Sequence, residues 1–201
     1  KGFQLQEISF ALPEGYIMGL AGANGAGKTT LIKYMMNPKK QYEGTIRLLG
    51  EDIHADHRKM MNRIGFVSEE NLFFKDVTVQ EHATMLSVFY ENWDMPYFQE
   101  TMKQVKIPLC RKVGNLSRGE NMKFQMAFAM AHHPSLYLLD EVTAGMDPVS
   151  RIDFFKLLQK VISEEQVSVL MTSHIQSEME RKMDYIGIIE QGRLKSFKEA
   201  I

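Results

Sequence analysis

The segment GANGAGKT, residues 22–29, matches the pattern G-x-x-x-x-G-K-[ST] and lies between an apolar run, YIMGLA at 16–21, and a helical pattern, TTLIKYMM at 29–36. Gly22, Gly25 and Gly27 permit tight turns that direct backbone amides inward. The start of the following helix adds its own unpaired N–H groups, so the loop can surround negative oxygens. A lysine at the position of Lys28 reaches β- and γ-phosphates, and a hydroxyl at the position of Thr29 reaches Mg²⁺. These residues describe a nucleotide site. The loop alone does not separate an ATPase from a GTPase or a small-molecule kinase. No guanine-reading [NT]KxD segment is apparent, and no acceptor pocket for a kinase can be read from the chain.

A second chemical group lies downstream. In LYLLDE, residues 136–141, Asp140 ends a strand-like run at the sheet edge where ligands gather in open α/β folds. It can hold Mg²⁺ directly or through water. Glu141, one residue on, points elsewhere and suits the activation of an attacking water. His174 follows another such run, VSVLMTS at 167–173, where an imidazole can sense a γ-phosphate or orient water. Between loop and acidic strand stands LSRGE, 116–120, at the start of the helical pattern NMKFQMAFAMA. The Ser117 hydroxyl and the amides around Gly119 can bind a phosphate there, though local physics does not say whose.

The elements that must position these groups alternate between short apolar strands and longer helical patterns, which predicts a mainly parallel sheet covered by helices. Strands are expected at 16–21, 45–50, 64–68, 135–140, 167–173 and 184–190, and a hairpin turn at Gln191–Gly192 leads into RLKSF. The alternating start, KGFQLQEISF, also reads as a strand and not as a signal peptide. EDIHADHRKMMNR, 51–63, reads as a polar linker. Residues 77–113 lack a convincing strand but carry helical spacing over 79–93 and 96–105, with Pro96 in a first turn and Asp94 as its cap. They form part of a helical subdomain, approximately 77–133, inserted in the α/β core of a single domain, 1–201. Its aromatics Phe89, Tyr90, Trp93, Tyr97 and Phe98 fit core packing and also a partner surface.

Composition narrows the classes further. In 201 residues, 24 Lys and Arg face 25 Asp and Glu, so the net charge of -1 supplies no field for nucleic acid, and no direct nucleic-acid binding is expected. A single cysteine, Cys110, excludes an internal disulfide and fits a reducing compartment. No apolar run approaches the ~20 residues of a membrane span. The 15 methionines and 12 phenylalanines read as core filling. The chain begins with Lys1, and its short reach beyond the last hairpin leads us to expect no regulatory C-terminal domain.

In this order the motifs resemble those of an ATP-binding cassette (ABC) ATPase, the nucleotide-binding subunit of a bacterial transporter. GANGAGKTT resembles the Walker A loop, LSRGE the signature, LYLLDE Walker B, AGMD the D-loop and TSH the switch histidine. The likeness covers nearly the whole chain. It implies a P-loop core with a mainly parallel sheet, an antiparallel β portion and an inserted helical subdomain. It also implies ATP bound by Asn24, Gly25, Ala26, Gly27, Lys28, Thr29 and Thr30, Mg²⁺ at Thr29 and Asp140, and catalysis by Glu141, His174 and Lys28. Two such domains, identical or homologous, would face head to tail, with Ser117 and Gly119 of one capping the γ-phosphate held by the other. The partners implied are membrane-spanning subunits, with the domain peripheral at the cytoplasmic face of the bacterial membrane, and FYENWD most resembles small Gram-positive multidrug or peptide exporters. The alternative within the superfamily is a soluble ATPase acting on ribosomes, DNA or metalloclusters.

Several residues depart from the family pattern. Arg118 and Glu120 occupy the third and fifth signature positions, where LSGGQ is usual. Glu69 replaces the usual Q-loop glutamine near the end of IGFVSEENLFF and remains a candidate ligand for Mg²⁺ or water. Val142 stands where proline is common. Phe3 is the one upstream aromatic available to stack on adenine, at a short spacing, and it equally suits a sheet position.

Overall fold

The computed structural model describes residues 3–70, 73–175 and 183–199. Lys1, Gly2 and the pair Asn71–Leu72 of the 64–74 stretch lie outside the described residues. A six-stranded sheet runs in the order β4-β5-β6-β1-β7-β8, from β1 (Ile17–Ala21), β4 (Ile64–Ser68), β5 (Leu136–Asp140), β6 (Ser168–Ser173), β7 (Tyr185–Glu190) and β8 (Arg193–Glu199). All pairings are parallel except that of β7 with β8. The central strands β5 and β6 are buried along their whole length, which explains their unbroken apolar runs.

Because side chains alternate across a strand, each face of this sheet builds its own core. Tyr137 and Leu139 of β5 and Val169 and Met171 of β6 pack against α5 (Arg118–Met130) and α6 (Pro148–Glu164), through Met122, Met126, Phe154 and Leu158. On the other face, Leu138, Leu170, Met18 and Leu20 meet Leu31 and Ile32 of α1 (Lys28–Met35). A third cluster joins α3 (Val79–Ser87) and α4 (Met95–Gln104) to the far side of α5, through Val79, Phe98, Phe124 and Phe128. Among the described residues ten methionines are buried, and they fill these cores.

Four expectations change in detail. Residues 3–12 form no strand; Ile8, Phe10 and Leu12 do alternate onto the α1-side core, but no ladder closes around them. The strand expected at 45–50 is a tight hairpin of β2 (Arg47–Leu48) and β3 (Glu51–Asp52), turned by Leu49 and Gly50, both at positive φ. The polar linker holds a short helix, α2 (His57–Asn62), capped by Asp56, whose carboxylate accepts the Lys59 N–H. Helix α3 stops at Ser87, and the Asp94 N–H then donates to the Ala131 carbonyl at 2.7 Å, closing the connection onto α5. Asp94 caps α4 by accepting the Tyr97 N–H, with Pro96 in the first turn.

Of the subdomain aromatics, Phe98 is fully buried, and Tyr90 and Trp93 pack against the third core; only Phe89 among these is largely exposed, at 64 %. Inside the same core His82 is enclosed by Phe73, Phe74, Phe124 and Phe128, and neither ring nitrogen has a hydrogen-bond partner. Burial pushes its pKa down from 6.5 to about 4. His132, stacked on Tyr90, is lowered to about 4, also chiefly by burial. A folded pKa below the unfolded one gives stability that is complete above the unfolded value and is lost as pH falls through the folded one. The resistance to urea should therefore decline between pH 6.5 and about 4. His82→Leu, which fills the box with no orphaned nitrogen, should flatten part of that decline, as urea melts across the range will show.

Candidate nucleotide site

The loop after β1 turns on Gly27, the N-cap of α1 at φ 116°, a left-handed conformation open to glycine at little cost. A Cβ there would also lie 2.6 Å from Leu5 and 2.9 Å from the Phe3 ring. A glycine cap offers no side-chain acceptor to the first amides of the helix, which stay available to an anion. Ala26 is buried and its carbonyl accepts the Gly192 N–H at 2.9 Å, while Asn24 and Gly25 are exposed at the loop tip and Thr29 and Thr30 half-buried in the first turn. Phe3 thus sits against the phosphate loop, 53 % exposed, where its ring can meet a base.

Lys28 is 4 % exposed, and its ammonium donates to the carbonyls of Gly22 at 2.6 Å and Ala23 at 3.0 Å. Its counter-charge is Glu141, with Oε1 at 3.0 Å. The other Glu141 oxygen lies 3.0 Å from His174 Nδ1. Burial alone would raise the Glu141 carboxyl, but hydrogen bonds from His174 and Lys28, and their charges, hold it below its usual range. The backbone of Glu141 is left-handed, at φ 53°, which turns its side chain off the strand line and away from Asp140.

Asp140 is 5 % exposed and accepts hydrogen bonds from Thr29 and, at 2.7 Å, from Thr172. Burial raises its pKa, and the two hydroxyls offset that only in part. Thr172 also accepts the Glu141 N–H at 3.0 Å, so one hydroxyl fastens both carboxylate residues. The parallel register of β5 and β6 sets Asp140 beside Thr172. Sequence reasoning missed Thr172, because a β-branched residue in an apolar strand reads as strand filling. It also missed Gln125, whose buried amide accepts the Ser68 N–H and donates to the Ser68 carbonyl, both at 3.0 Å, finishing the edge of β4.

The structure thus brings Lys28, Thr29, Asp140, Glu141 and His174 together. Ser117 and Gly119 make their contacts elsewhere. The Ser117 hydroxyl accepts the Glu120 N–H at 3.3 Å, and the Glu120 carboxylate accepts the Ser117 N–H at 2.8 Å, a capping box at the start of α5. Glu120 also meets Arg111 at 2.6 Å. A Cβ on Gly119 would lie 2.4 Å from the Ser150 hydroxyl of α6. The Glu69 carboxylate is turned to Arg118, at 2.7 Å. Val142 is buried in the α5–α6 core.

Residues 5–144 match the ABC transporter family. The ABC transporter ATP-binding protein YtrB of Bacillus subtilis is 33% identical over 190 residues, covering 94% of this chain and 65% of its own length. The bacitracin transport ATP-binding protein BcrA of Bacillus licheniformis is 30% identical over 196 residues, covering 94% and 63%. The chain therefore spans less than two thirds of each of these relatives. A solved ATP-binding cassette, dimeric in a post-hydrolysis state with ADP and Pi, shares the fold with a TM-score of 0.85 at 20% identity, over 98% of this chain and 90% of its own.

Thr172→Val keeps the side-chain shape but removes the donor to Asp140 and the acceptor for Glu141. On the expectation that Asp140 holds Mg²⁺, it should weaken binding of Mg²⁺ with nucleotide by roughly ten- to a hundred-fold, as removal of an orienting partner does, with Thr172→Ser retaining most of it. Titration calorimetry of the two variants measures this.

Proposed function

Because this chain belongs to the ABC transporter family, we propose that it binds ATP with Mg²⁺, hydrolyses it, and couples the reaction to transport by separate membrane-spanning subunits. The observation that carries this reading is the continuous contact Lys28–Glu141–His174 beside the Thr29–Asp140 pair. A γ-phosphate offers Lys28 competing oxygens, and an ammonium that transfers to them releases Glu141. Held by His174, the freed carboxylate takes a proton from the attacking water as its oxygen joins the γ-phosphorus and the bond to ADP breaks. Lys28 and the loop amides stabilise the charge on the transferred phosphoryl group.

The residues present fit Mg²⁺. A hydroxyl and a carboxylate are the hard oxygen donors this ion takes, and Asp140 is a buried anion whose raised pKa marks charge that its hydroxyl partners do not fully relieve. Thr29 and Asp140 would hold the ion, which supplies neutralisation of the phosphate oxygens. Glu69 is the further candidate ligand, and it would have to leave Arg118 to serve.

Two copies, identical or homologous, complete the site head to tail, Ser117 and Gly119 of one facing the nucleotide of the other. The exposure of Ser117 at a helix start supports this, as does the dimer formed by the solved relative. No described helix is long and apolar enough to cross a membrane. The membrane-spanning subunits dock at the C-terminal end of α3, where Met85 and, just past the helix, Val88 and Phe89 are exposed, with Phe74 against the same helix through His82. A domain docked in this way would lie at the cytoplasmic face of the membrane. Export of a peptide-like or drug-like compound is the finer reading, supported by the relative named for bacitracin transport.

Glu141→Gln should bind ATP yet lose about a hundred- to ten-thousand-fold in single-turnover hydrolysis, the range of a removed general base. Wild-type single turnover in that variant would reject Glu141 as the catalytic group, and stimulation by ribosomes or DNA in place of a copurifying membrane subunit would reject transport. In the Glu141→Gln background, ATP should drive a dimer visible by sedimentation, and Ser117→Arg should abolish it. A persistent dimer would remove Ser117 from the capping role.

A further inference from the structure

Helix α5 is tied to the end of β4 in two ways that differ in kind. One is permanent: Gln125 is buried and clasps both backbone groups of Ser68. The other is half exposed: Arg118 Nη2 meets Glu69 Oε1 at 2.7 Å, with the two side chains 41% and 50% exposed. Glu69 is itself anchored at the phosphate site, because its N–H donates to the Asp140 carbonyl at 3.2 Å. Arg118 is anchored at the other end, with its guanidinium laid over Gly145, where a Cβ would sit 3.0 Å from Cζ and Nη1. The next residue, Gly119, is pressed on Ser150 of α6.

We infer that the Glu69–Arg118 ion pair is a strut that sets the Ser117 turn and the 143–147 loop relative to the chain's own phosphate site, and that Arg118 is a positioning residue. The exposed pair opens into water, whereas opening the buried Gln125 clasp would strand unpaired polar groups in the core. The strut therefore links occupancy at one site to presentation of Ser117 toward the second copy, a consequence that rests on the two-copy reading above. Glu69 and Arg118, charged where the family pattern has uncharged residues, act as one unit.

The test is a double-mutant cycle of Glu69→Gln and Arg118→Gln, with Arg118→Lys and the reversed pair E69R/R118E, read in two ways on the purified protein. Hydrogen exchange at amides 117–121 and 143–147, without nucleotide, should speed up in each single variant and no further in the double variant. In steady-state ATP hydrolysis the single variants should raise KM and lower the Hill coefficient, with non-additivity of roughly two- to five-fold, as for a half-exposed pair. Arg118→Lys and the reversed pair should recover part of both signals. Unchanged exchange in all variants, or additive effects with no recovery, overturns the strut. A shifted Mg²⁺ optimum caused by Glu69→Gln equally in both Arg118 backgrounds also overturns it and assigns Glu69 to the metal. If the unaltered protein does not hydrolyse ATP, the functional reading fails, and the exchange data alone judge the strut.

Discussion

The Lys28 ammonium, almost wholly out of water, is held by the carbonyls of Gly22 and Ala23 and by the carboxylate of Glu141. A buried charge stripped of its partner costs several kcal/mol, so loop and acidic strand end must arrive together or neither is tolerable. They come from strands that are not neighbours: β6 lies between β1 and β5. The pair forms because the parallel registers bring three strand ends level, Ala21 beside Ser173 and Asp140 beside Thr172. His174, the residue just after β6, then reaches Glu141 from between. A one-residue slip of β5 would turn Asp140 to the other face and leave Lys28 facing carbonyls alone.

The same constraint explains why α5 is buried around so much of its circumference. Its Met122, Met126 and Met130 pack on the sheet while Phe124, Ala127 and Phe128 pack on α3 and α4. A helix claimed by two cores moves with both or breaks one of them. Any displacement of α3 would thus reach Ser117 through packed side chains, with the Asp94–Ala131 hydrogen bond fixing the far end of α5.

The candidate site residues were legible because their backbone demands are narrow. Gly27 at positive φ, a lysine and a hydroxyl in fixed order, and carboxylates at a strand end leave few other interpretations. The parallel core strands were legible for the opposite reason, being plain apolar runs buried on both faces. What escaped was whatever depends on which partner a segment or side chain finds. The strand expected at 45–50 ends as a hairpin because β3 pairs it locally, and the start of the chain alternates correctly without finding a ladder. Thr172 and Gln125 escaped because their side chains act on groups 32 and 57 residues away. No local pattern encodes that distance.

The departures from the family pattern are compensated rather than scattered. Glu120, in place of the usual glutamine, closes a capping box with Ser117 and meets Arg111. Its carboxyl is held below the usual range first by the Ser117 N–H, then by the Ser117 hydroxyl and Arg111, so it stays ionised where a helix start favours negative charge. Arg118 and Glu69 answer one another in the same way. Each new charge near the Ser117 turn thus has its opposite within the chain, so the turn adds little net field of its own to an approaching polyanion. In the proposed two-copy arrangement, recognition of phosphate there would fall to the Ser117 hydroxyl and the first amides of α5, groups whose geometry is set by the capping box. A charged signature of this composition can therefore keep the direction-dependent part of phosphate binding while giving the long-range part to its own neighbours.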